Sequence, residues 1–192
     1  AAIEDRLWAM TVLAETAEQR GDAAAAEMHF RDALALGRRN IYLLGAYADF
    51  LLDQNHPAEA RALLQDEQRA DNLLLRLALA ERRLDDPAWQ RHADILEARF
   101  AAARERGDET HLATEARLKL DLRQQPVEAL QLAQRNWAQR QREPQDARLL
   151  LEAALAAGQP AAAHEVLDWL ARVKLEDRRL AELSRRLREF SS

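Results

Sequence analysis

The amino-acid sequence predicts an all-α fold made of repeated helical hairpins, and three observations support this prediction. First, apolar residues make up 48% of the 192-residue chain, aromatic residues only 5% and charged residues 32%, which favours helix-on-helix packing through Ala and Leu. Second, only five Gly and five Pro interrupt long runs of strong helix formers. Third, similar residues recur at a fixed interval, as Ala26 and Ala60 do.

The first hairpin is predicted from apolar spacing and two glycines. Residues 3–20 place apolar side chains on one face of a 3.6-residue period. Gly21 is expected to end this helix in a left-handed conformation, and Asp22 to cap the next helix, which ends before Gly37. Small or aromatic residues mark the packing face of that second helix: Ala26, Phe30 and Ala33.

A second hairpin repeats the first. Asn40 is the predicted N-cap of its first helix, and Pro57 fits the first turn of its second helix, where a missing N–H does no harm. Three pairs of matching residues are 34 apart: Gly21 and Asn55, Ala26 and Ala60, and Phe30 and Leu64. The same interval, which we call the repeat period, separates two pairs in the second half of the chain: Gln124 and Gly158, and Ala129 and Ala163.

The middle of the chain departs from this period. Asn55 and Gln124 are separated by two repeat periods plus one position, so a repeat with displaced landmarks is expected between them. Its second helix should be buried along its length to about Arg106, because five apolar residues follow a spacing of 4, 3, 4 and 3. These residues are Trp89, Ala93, Leu96, Phe100 and Ala103.

The last helix is predicted to cover the end of the repeats with a polar outer face. Its apolar side would consist of Leu180, Leu183, Leu187 and Phe190. The sequence thus predicts a single domain over 1–192, with repeats over about 3–37, 40–69, 71–106, 108–142 and 145–172, and a capping helix over 175–190.

The pattern resembles the tetratricopeptide repeat, a 34-residue helix-turn-helix that carries W-x2-L-G-x2-Y, then A-x3-F, then P. The first repeat matches as Met10-x2-Leu13-Ala14-x2-Ala17, followed by Ala26-x3-Phe30. The second matches as Leu44-x2-Tyr47-Ala48-x2-Leu51, followed by Ala60-x3-Leu64. No repeat has Trp at the motif position, and none has Gly at the small site of its first helix, where Arg117 and Leu151 stand in two of the repeats.

The resemblance implies an α-solenoid of about five repeats, a right-handed superhelix whose first helices line a concave groove for a peptide or a partner helix. Projecting the groove positions of the family onto this chain selects Trp8, Thr11, Glu15, Glu18, Gln19, Tyr42, Asp49, Asp53, His111, Arg148 and Glu152. In the first two repeats, four carboxylates (Glu15, Glu18, Asp49 and Asp53) beside Trp8 and Tyr42 predict an acidic surface that suits a basic or amphipathic segment. The alternative is an ordinary solvated helix face.

Several kinds of chemistry have no residues to support them. The chain has no Cys and therefore no disulfide, thiolate nucleophile or Cys-ligated zinc. The five histidines lack H-E-x-x-H spacing, and the nearest ligand pairs are His56-x2-Glu59 and His111-x3-Glu115. We therefore expect no metal, no cofactor and no enzymatic activity. Trp89, Trp137 and Trp169 are expected to pack within hairpins. The role of Trp8 stays open.

The expected function is a non-enzymatic scaffold that binds a peptide or partner protein. A net charge of −5 disfavours nucleic acid, and no apolar run approaches the roughly 20 residues of a membrane-spanning helix. The alternative is a regulatory or localisation module of a larger, possibly cell-envelope protein, since the chain begins Ala1-Ala2 and not with Met. The many Arg and Ala residues suggest a bacterial protein, of either the cytoplasm or the periplasm.

Overall fold

The computed structural model describes residues 2–139 and 142–190. Within these ranges the chain is helical and contains no β-strand. It divides into two compact units, Ala1–Asp94 and Ile95–Ser192. Each unit has its own apolar core. The predicted fourth repeat, 108–142, includes residues 140 and 141, which lie outside the described ranges.

The first unit contains helices α1 to α5 and the first part of α6. Their bounds are α1 (Ala2–Arg20), α2 (Ala23–Ala35), α3 (Ile41–Asp53), α4 (Pro57–Leu64), α5 (Asp71–Arg83) and α6 (Ala88–Glu105). Helix α1 packs against α2, α3 packs against α4, and α4 packs against α5. From α1 to α5, successive helices are thus neighbours in space.

The second unit contains the rest of α6 and five further helices. They are α7 (Leu112–Arg117), which continues into a π-helical turn (Leu118–Leu122), α8 (Pro126–Gln139), α9 (Pro144–Ala156), α10 (His164–Val173) after a 3₁₀ turn (Pro160–Ala163), and α11 (Arg178–Phe190). Helix α7 packs against α8, and α9 packs against both α8 and α11.

Both predicted caps of the first unit are confirmed. The Asp22 side chain accepts a hydrogen bond from the Ala25 N–H at 3.0 Å. The Asn40 side chain accepts one from the Leu43 N–H at 2.8 Å. Each cap satisfies a backbone donor that has no partner within the first turn of its helix. Pro57 is the first residue of α4, as predicted.

The connections inside the hairpins share one backbone conformation. Gly21 and Asn55 have φ values of 81° and 60°, and Gln124 and Gly158 have values of 55° and 64°. In the first two turns, the N–H of the next residue donates to the carbonyl five residues earlier, at 2.9 and 2.7 Å. This is the hydrogen bond of a helix end with a left-handed residue. The turn therefore recurs with the repeat period whether or not the residue is glycine.

The π-helical turn holds one more residue than an α-helical turn would hold. At the end of this turn, the Gln125 N–H donates to the Lys119 carbonyl, six residues earlier, at 2.8 Å. The equivalent bond after α9 joins Gln159 to Ala154, only five residues earlier, at 2.9 Å. A π-turn widens a helix by a single residue. Relative to the end of α9, the segment Leu118–Leu122 therefore holds one additional residue.

This additional residue corrects the sequence alignment of α7. Residues of α7 that precede the π-turn match residues of α9 at the repeat period plus one position. Leu151 of α9 therefore corresponds to Ala116 of α7. Both residues are fully buried. Arg117, which the alignment had placed at this small packing site, instead reaches charged side chains of α9 and of the π-turn.

The core of the first unit is built on three aromatic rings. Phe30 stacks on Tyr47 with ring centroids 4.9 Å apart, and Phe50 lies 5.4 Å from Phe30. Such offset or tilted pairs add to the free energy gained by burial alone. Five packing residues predicted on α2 and α4 are fully buried, and a sixth, Leu63, is half-buried. The five are Ala26, Phe30, Ala33, Ala60 and Leu64.

The three tryptophans expected within hairpins divide between core and half-buried positions. Trp137 is buried in the second unit and meets Trp169 edge-on, with ring centroids 5.3 Å apart. Trp89 is half-buried, and the Arg82 guanidinium lies 5.4 Å from its ring centre. The other residues of the predicted α6 stripe are buried as expected: Ala93, Leu96, Phe100 and Ala103.

The capping-helix prediction is partly wrong. Helix α11 begins at Arg178 and not at residue 175, because the Asp177 carboxylate caps it by accepting the N–H of Arg179 at 2.9 Å and of Leu180 at 3.0 Å. The predicted apolar residues Leu180, Leu183 and Leu187 are buried. Phe190, expected on the same buried side, is 62% exposed, because it lines an open groove at the end of the helix.

Replacing Ala60 by Leu tests the close approach of α3 and α4. Ala60 has no exposed surface, so the added side chain would overpack the contact and lower the free energy of unfolding by about 1–3 kcal/mol. Urea denaturation followed by circular dichroism measures this change. Ala58→Leu, at an exposed position of the same helix, is the control and should change stability by less than about 0.5 kcal/mol.

Deleting Leu120 tests the role of the π-turn. The deletion would convert the π-turn into a regular α-turn and leave the residues on both sides in place, at a cost of about 1–2 kcal/mol for the lost half-buried side chain. Deleting Gln131, an exposed residue in the middle of α8, rotates every later residue of that helix by about 100° and should cost far more. Equal losses in thermal unfolding of the two variants would contradict this account of the additional residue.

Candidate functional site

An open groove of about 560 Å³ lies between α9 and α11 in the second unit. Its lining residues come from both helices: Glu152, Leu155 and Ala156 of α9, and Leu183, Arg186, Glu189 and Phe190 of α11. Four of the seven are apolar and three are charged. Glu152 belongs to the groove positions predicted from the sequence, whereas the residues of α11 do not.

The local structure explains why the groove is open. Leu183 and Leu187 are buried and hold α11 against α9. Leu155 and Ala156, in the last turn of α9, are half-buried and exposed respectively. Phe190, the last residue of α11, then stands at the edge with most of its ring in solvent. The apolar surface on the two helices is therefore accessible to another molecule.

The carboxylate of Glu152 is bound on both oxygens by arginines. Its Oε1 accepts a hydrogen bond from Arg148 Nε at 2.8 Å, and its Oε2 accepts one from Arg117 Nη1. The same Arg117 Nη1 lies 3.3 Å from Asp121 Oδ2 in the π-turn. Side chains of α7, the π-turn and α9 are therefore joined in one partly buried ionic network.

This network shifts the pKa values of its two acids in opposite directions. Burial by itself raises the pKa of Glu152, but the charges and hydrogen bonds of Arg117 and Arg148 outweigh it and lower the pKa from 4.5 to about 2. For Asp121, burial raises the pKa, and Arg117 only partly opposes it. Glu152 is therefore the more strongly stabilised anion of the pair.

Two predicted groove carboxylates of the first unit are also engaged by neighbouring helices. Tyr42 of α3 donates a hydrogen bond through its hydroxyl to Glu15 of α1. Arg76 of α5 binds Asp49 of α3 with both ends of its guanidinium group, at 2.8 and 2.6 Å. Such a two-point pair is among the stronger ionic contacts in proteins. Arg76 therefore places a cation within the predicted acidic surface.

Sequence reasoning missed Arg76, although the sequence holds a signal for it. Tyr42 follows Glu15 by 27 positions, and Arg76 follows Asp49 by the same 27. This spacing equals one repeat period less two helical turns. It joins α1 to α3 and α3 to α5, so a search at this spacing would have found both pairs.

Two predicted groove residues do not face an open surface. Thr11 is fully buried, and its hydroxyl donates to the Leu7 carbonyl at 2.8 Å. His111 is buried and stacks on Phe100, with ring centroids 5.1 Å apart and an angle of 8° between the rings. Both positions are therefore buried, whereas the projection had expected them on an open surface.

The other predicted positions lie closer to solvent. Trp8 is 60% exposed and Tyr42 is 41% exposed. The half-buried positions are Glu15, Glu18, Gln19, Asp49, Asp53, Arg148 and Glu152. Glu18 and Asp53 also interact with neighbouring groups. The structure therefore brings Arg148 and Glu152 together in the second unit, and pairs Glu15 with Tyr42 in the first.

The histidine–glutamate pairs noted in the sequence are close in space. Nδ1 of His56 lies 3.4 Å from the Glu59 carboxylate, and Nε2 of His111 lies 3.3 Å from the Glu115 carboxylate. Among the described residues, no group of three or more His, Asp or Glu side chains is arranged to hold a metal ion.

A further buried pair, Glu81 and His92, was not expected from the sequence. Nδ1 of His92 lies 2.7 Å from Glu81 Oε2, and Nη2 of Arg91 lies 3.2 Å from the other ring nitrogen. Both His92 and Glu81 are buried. Because the pair joins α5 to α6 across a turn, the sequence spacing alone gives little indication of it.

Comparison of the chain with protein-family models, curated proteins and solved structures finds no match. The resemblance to the tetratricopeptide repeat therefore depends on the residues quoted above. No helix within residues 2–139 and 142–190 has the length and apolar character needed to cross a bilayer.

The ionic network predicts a specific pH dependence of stability. Folded Glu152 stays ionised to about pH 2, whereas in the unfolded chain it takes up a proton near its ordinary value of 4.5. Its contribution to stability is complete above the unfolded value and is lost as the pH falls from 4.5 towards 2. The free energy of unfolding of Glu152→Gln should therefore be about 1–2 kcal/mol below that of the wild type at neutral pH, and this difference should shrink as the pH falls.

Urea denaturation at about pH 7, 4 and 3 measures this difference between the wild type and Glu152→Gln. Glu176→Gln, at an exposed carboxylate of the same unit, is the matched control and should follow the wild type. A constant difference between the wild type and Glu152→Gln at every pH would show that Glu152 contributes to stability without its charge.

Proposed function

We propose that this chain is a protein of tetratricopeptide-like repeats that binds a peptide, or a segment of a partner protein, and catalyses no reaction. The observation that carries this proposal is the open, partly apolar groove between α9 and α11. In the family that the sequence resembles, the first helices of the repeats face the ligand. Helix α9 is the first helix of the predicted fifth repeat, and α11 is the predicted cap.

The recurrence of the hairpin turns supports the repeat part of the proposal. Residues in the left-handed conformation recur with the repeat period in each half of the chain. The fully buried Ala26 and Ala60 recur at the same interval, as do Ala129 and Ala163. A fixed backbone step combined with a fixed packing residue is the property that defines a helical repeat.

The chemistry of the groove supports the binding part. Leu155, Leu183 and Phe190 offer an apolar surface, and charged side chains stand beside it. Protein interfaces commonly have this arrangement of an apolar centre with a polar rim, and aromatic residues carry much of their binding energy. Covering the ring of Phe190 would remove apolar area from water at about 25 cal/mol per Å².

The buried acid–base pair fits a structural role better than a catalytic one. Glu81 and His92 form a close acid–base pair, but His92 is only 2% exposed. A general acid or base must come within hydrogen-bonding distance of its substrate. The pair therefore supports a role in joining α5 to α6.

Selection of displayed random peptides on the whole protein tests this proposal. We expect selected peptides to lose about tenfold in affinity for Phe190→Ala, since removing an aromatic anchor costs at least about 1.4 kcal/mol. Val173→Ala, at an exposed apolar residue of α10, is the control and should leave affinity unchanged. Isothermal titration measures both values, and thermal unfolding verifies that the variants are folded.

Two outcomes would overturn the proposal. One is that no peptide is enriched on the protein. The other is that enriched peptides bind Phe190→Ala as tightly as the wild type, which would place their binding site outside the groove.

A further inference from the structure

We propose that the groove between α9 and α11 recognises an acidic amphipathic peptide, in which a carboxylate stands beside an apolar anchor, and that Arg186 binds this carboxylate. This inference depends on the proposed function and adds the chemical class of the partner. It also reverses, for this groove, the basic partner that the sequence suggested.

The two carboxylates of the groove are already occupied by arginines of the protein. Both oxygens of Glu152 accept hydrogen bonds, from Arg148 and from Arg117. Glu189 accepts a hydrogen bond through Oε1 from Arg185. An incoming Lys or Arg would compete with these bonds, and it would also approach the positive charge of Arg186. A basic peptide therefore gains little from either acid.

Arg186 differs from its neighbours because its hydrogen-bonding capacity is unused. It lines the groove, and within the described part of the chain it has no hydrogen bond or ion pair. Hydrogen bonds from Arg185 lower the pKa of Glu182, and the charge of Arg186 adds a smaller effect in the same direction. Both oxygens of Glu182 are held by Arg185, at 2.9 and 2.6 Å. The planar guanidinium group of Arg186 can therefore bind an external carboxylate at two points.

The apolar lining determines what must accompany that carboxylate. Leu155 and Leu183 lie in the same groove as Arg186, and the exposed ring of Phe190 stands at its edge. An exposed ion pair alone contributes only about 0–1 kcal/mol. Binding therefore requires that an aliphatic or aromatic side chain of the partner occupy the groove while its acidic neighbour meets Arg186. An amphipathic helix presents both groups on adjacent turns.

The experiment titrates the whole protein with three synthetic peptides of about 12 residues, which carry Leu at helical spacing. The first peptide has Glu at its polar positions, and the second has Lys at the same positions. The third keeps the Glu residues and has Ala in place of Leu. Chemical shifts of the Arg186 side chain and of the backbone of α9 and α11 report where each peptide binds, and fluorescence anisotropy gives the affinities.

We expect the Leu-Glu peptide to bind in the groove and the other two to bind at least about tenfold more weakly. Arg186→Ala should lower the affinity for the Leu-Glu peptide by about tenfold. Arg186→Lys should lower it less, because Lys keeps the charge but loses the two-point geometry. Arg188→Ala, at an exposed arginine on the same helix, is the matched control and should leave the affinity within about twofold of the wild type. Added salt should lower the affinity of the Leu-Glu peptide and reduce the difference between its affinity and that of the Lys peptide.

The outcomes distinguish this inference from the proposed function. If the Leu-Lys peptide binds the groove as well as the Leu-Glu peptide does, or if Arg186→Ala has no effect, the groove binds peptides but the acidic preference is wrong. If neither Leu-containing peptide shifts the resonances of α9 and α11, this inference and the use of the groove for peptide binding both fail.

Discussion

The structure depends first on close contact between helices at small residues. Ala14 and Ala26 meet this requirement in the first hairpin, and Ala48 and Ala60 meet it in the second; all four are fully buried. A small side chain lets two helix backbones approach, and dense packing then supplies the dispersion contacts that stabilise the core. This explains how a chain with few aromatic residues fills two cores. It also brings α3 and α5 close enough for the pair of Arg76 and Asp49.

Local interactions were the part of the fold that the sequence predicted well. Caps such as Asp22 and Asn40 act over three residues, and Gly21 ends its helix through its own backbone, so each depends on a few adjacent residues. The π-turn was not predicted. Whether a backbone N–H bonds to the carbonyl four residues earlier, as in an α-helix, or five residues earlier, as in a π-helix, depends on how the whole helix packs. The sequence indicated only that the repeat period is disturbed somewhere between Asn55 and Gln124.

The candidate site was predicted less completely for a related reason. Projection from the family resemblance found Arg148 and Glu152 on α9, but it assumed that every outward position of a first helix is exposed. Thr11 and His111 are buried, which only the packed structure reveals. The α11 side of the groove was missed because the last helix was treated purely as a cover, with Phe190 packed inside. The expected partner also changed from basic to acidic, because arginines of the protein already bind the carboxylate of Glu152.

The π-turn also bears on how this helix tolerates changes in length. A regular helix that gains one residue turns everything beyond the insertion by about 100°, which would move buried side chains into solvent. By widening one turn, the segment Leu118–Leu122 takes up an additional residue, while Ala116 before it and Ala129 after it stay buried. The sequence can therefore depart from the repeat period by one residue while the same positions stay buried. Methods that detect repeats by a constant interval would read the two halves in different registers, although the same turns and packing residues occur in both.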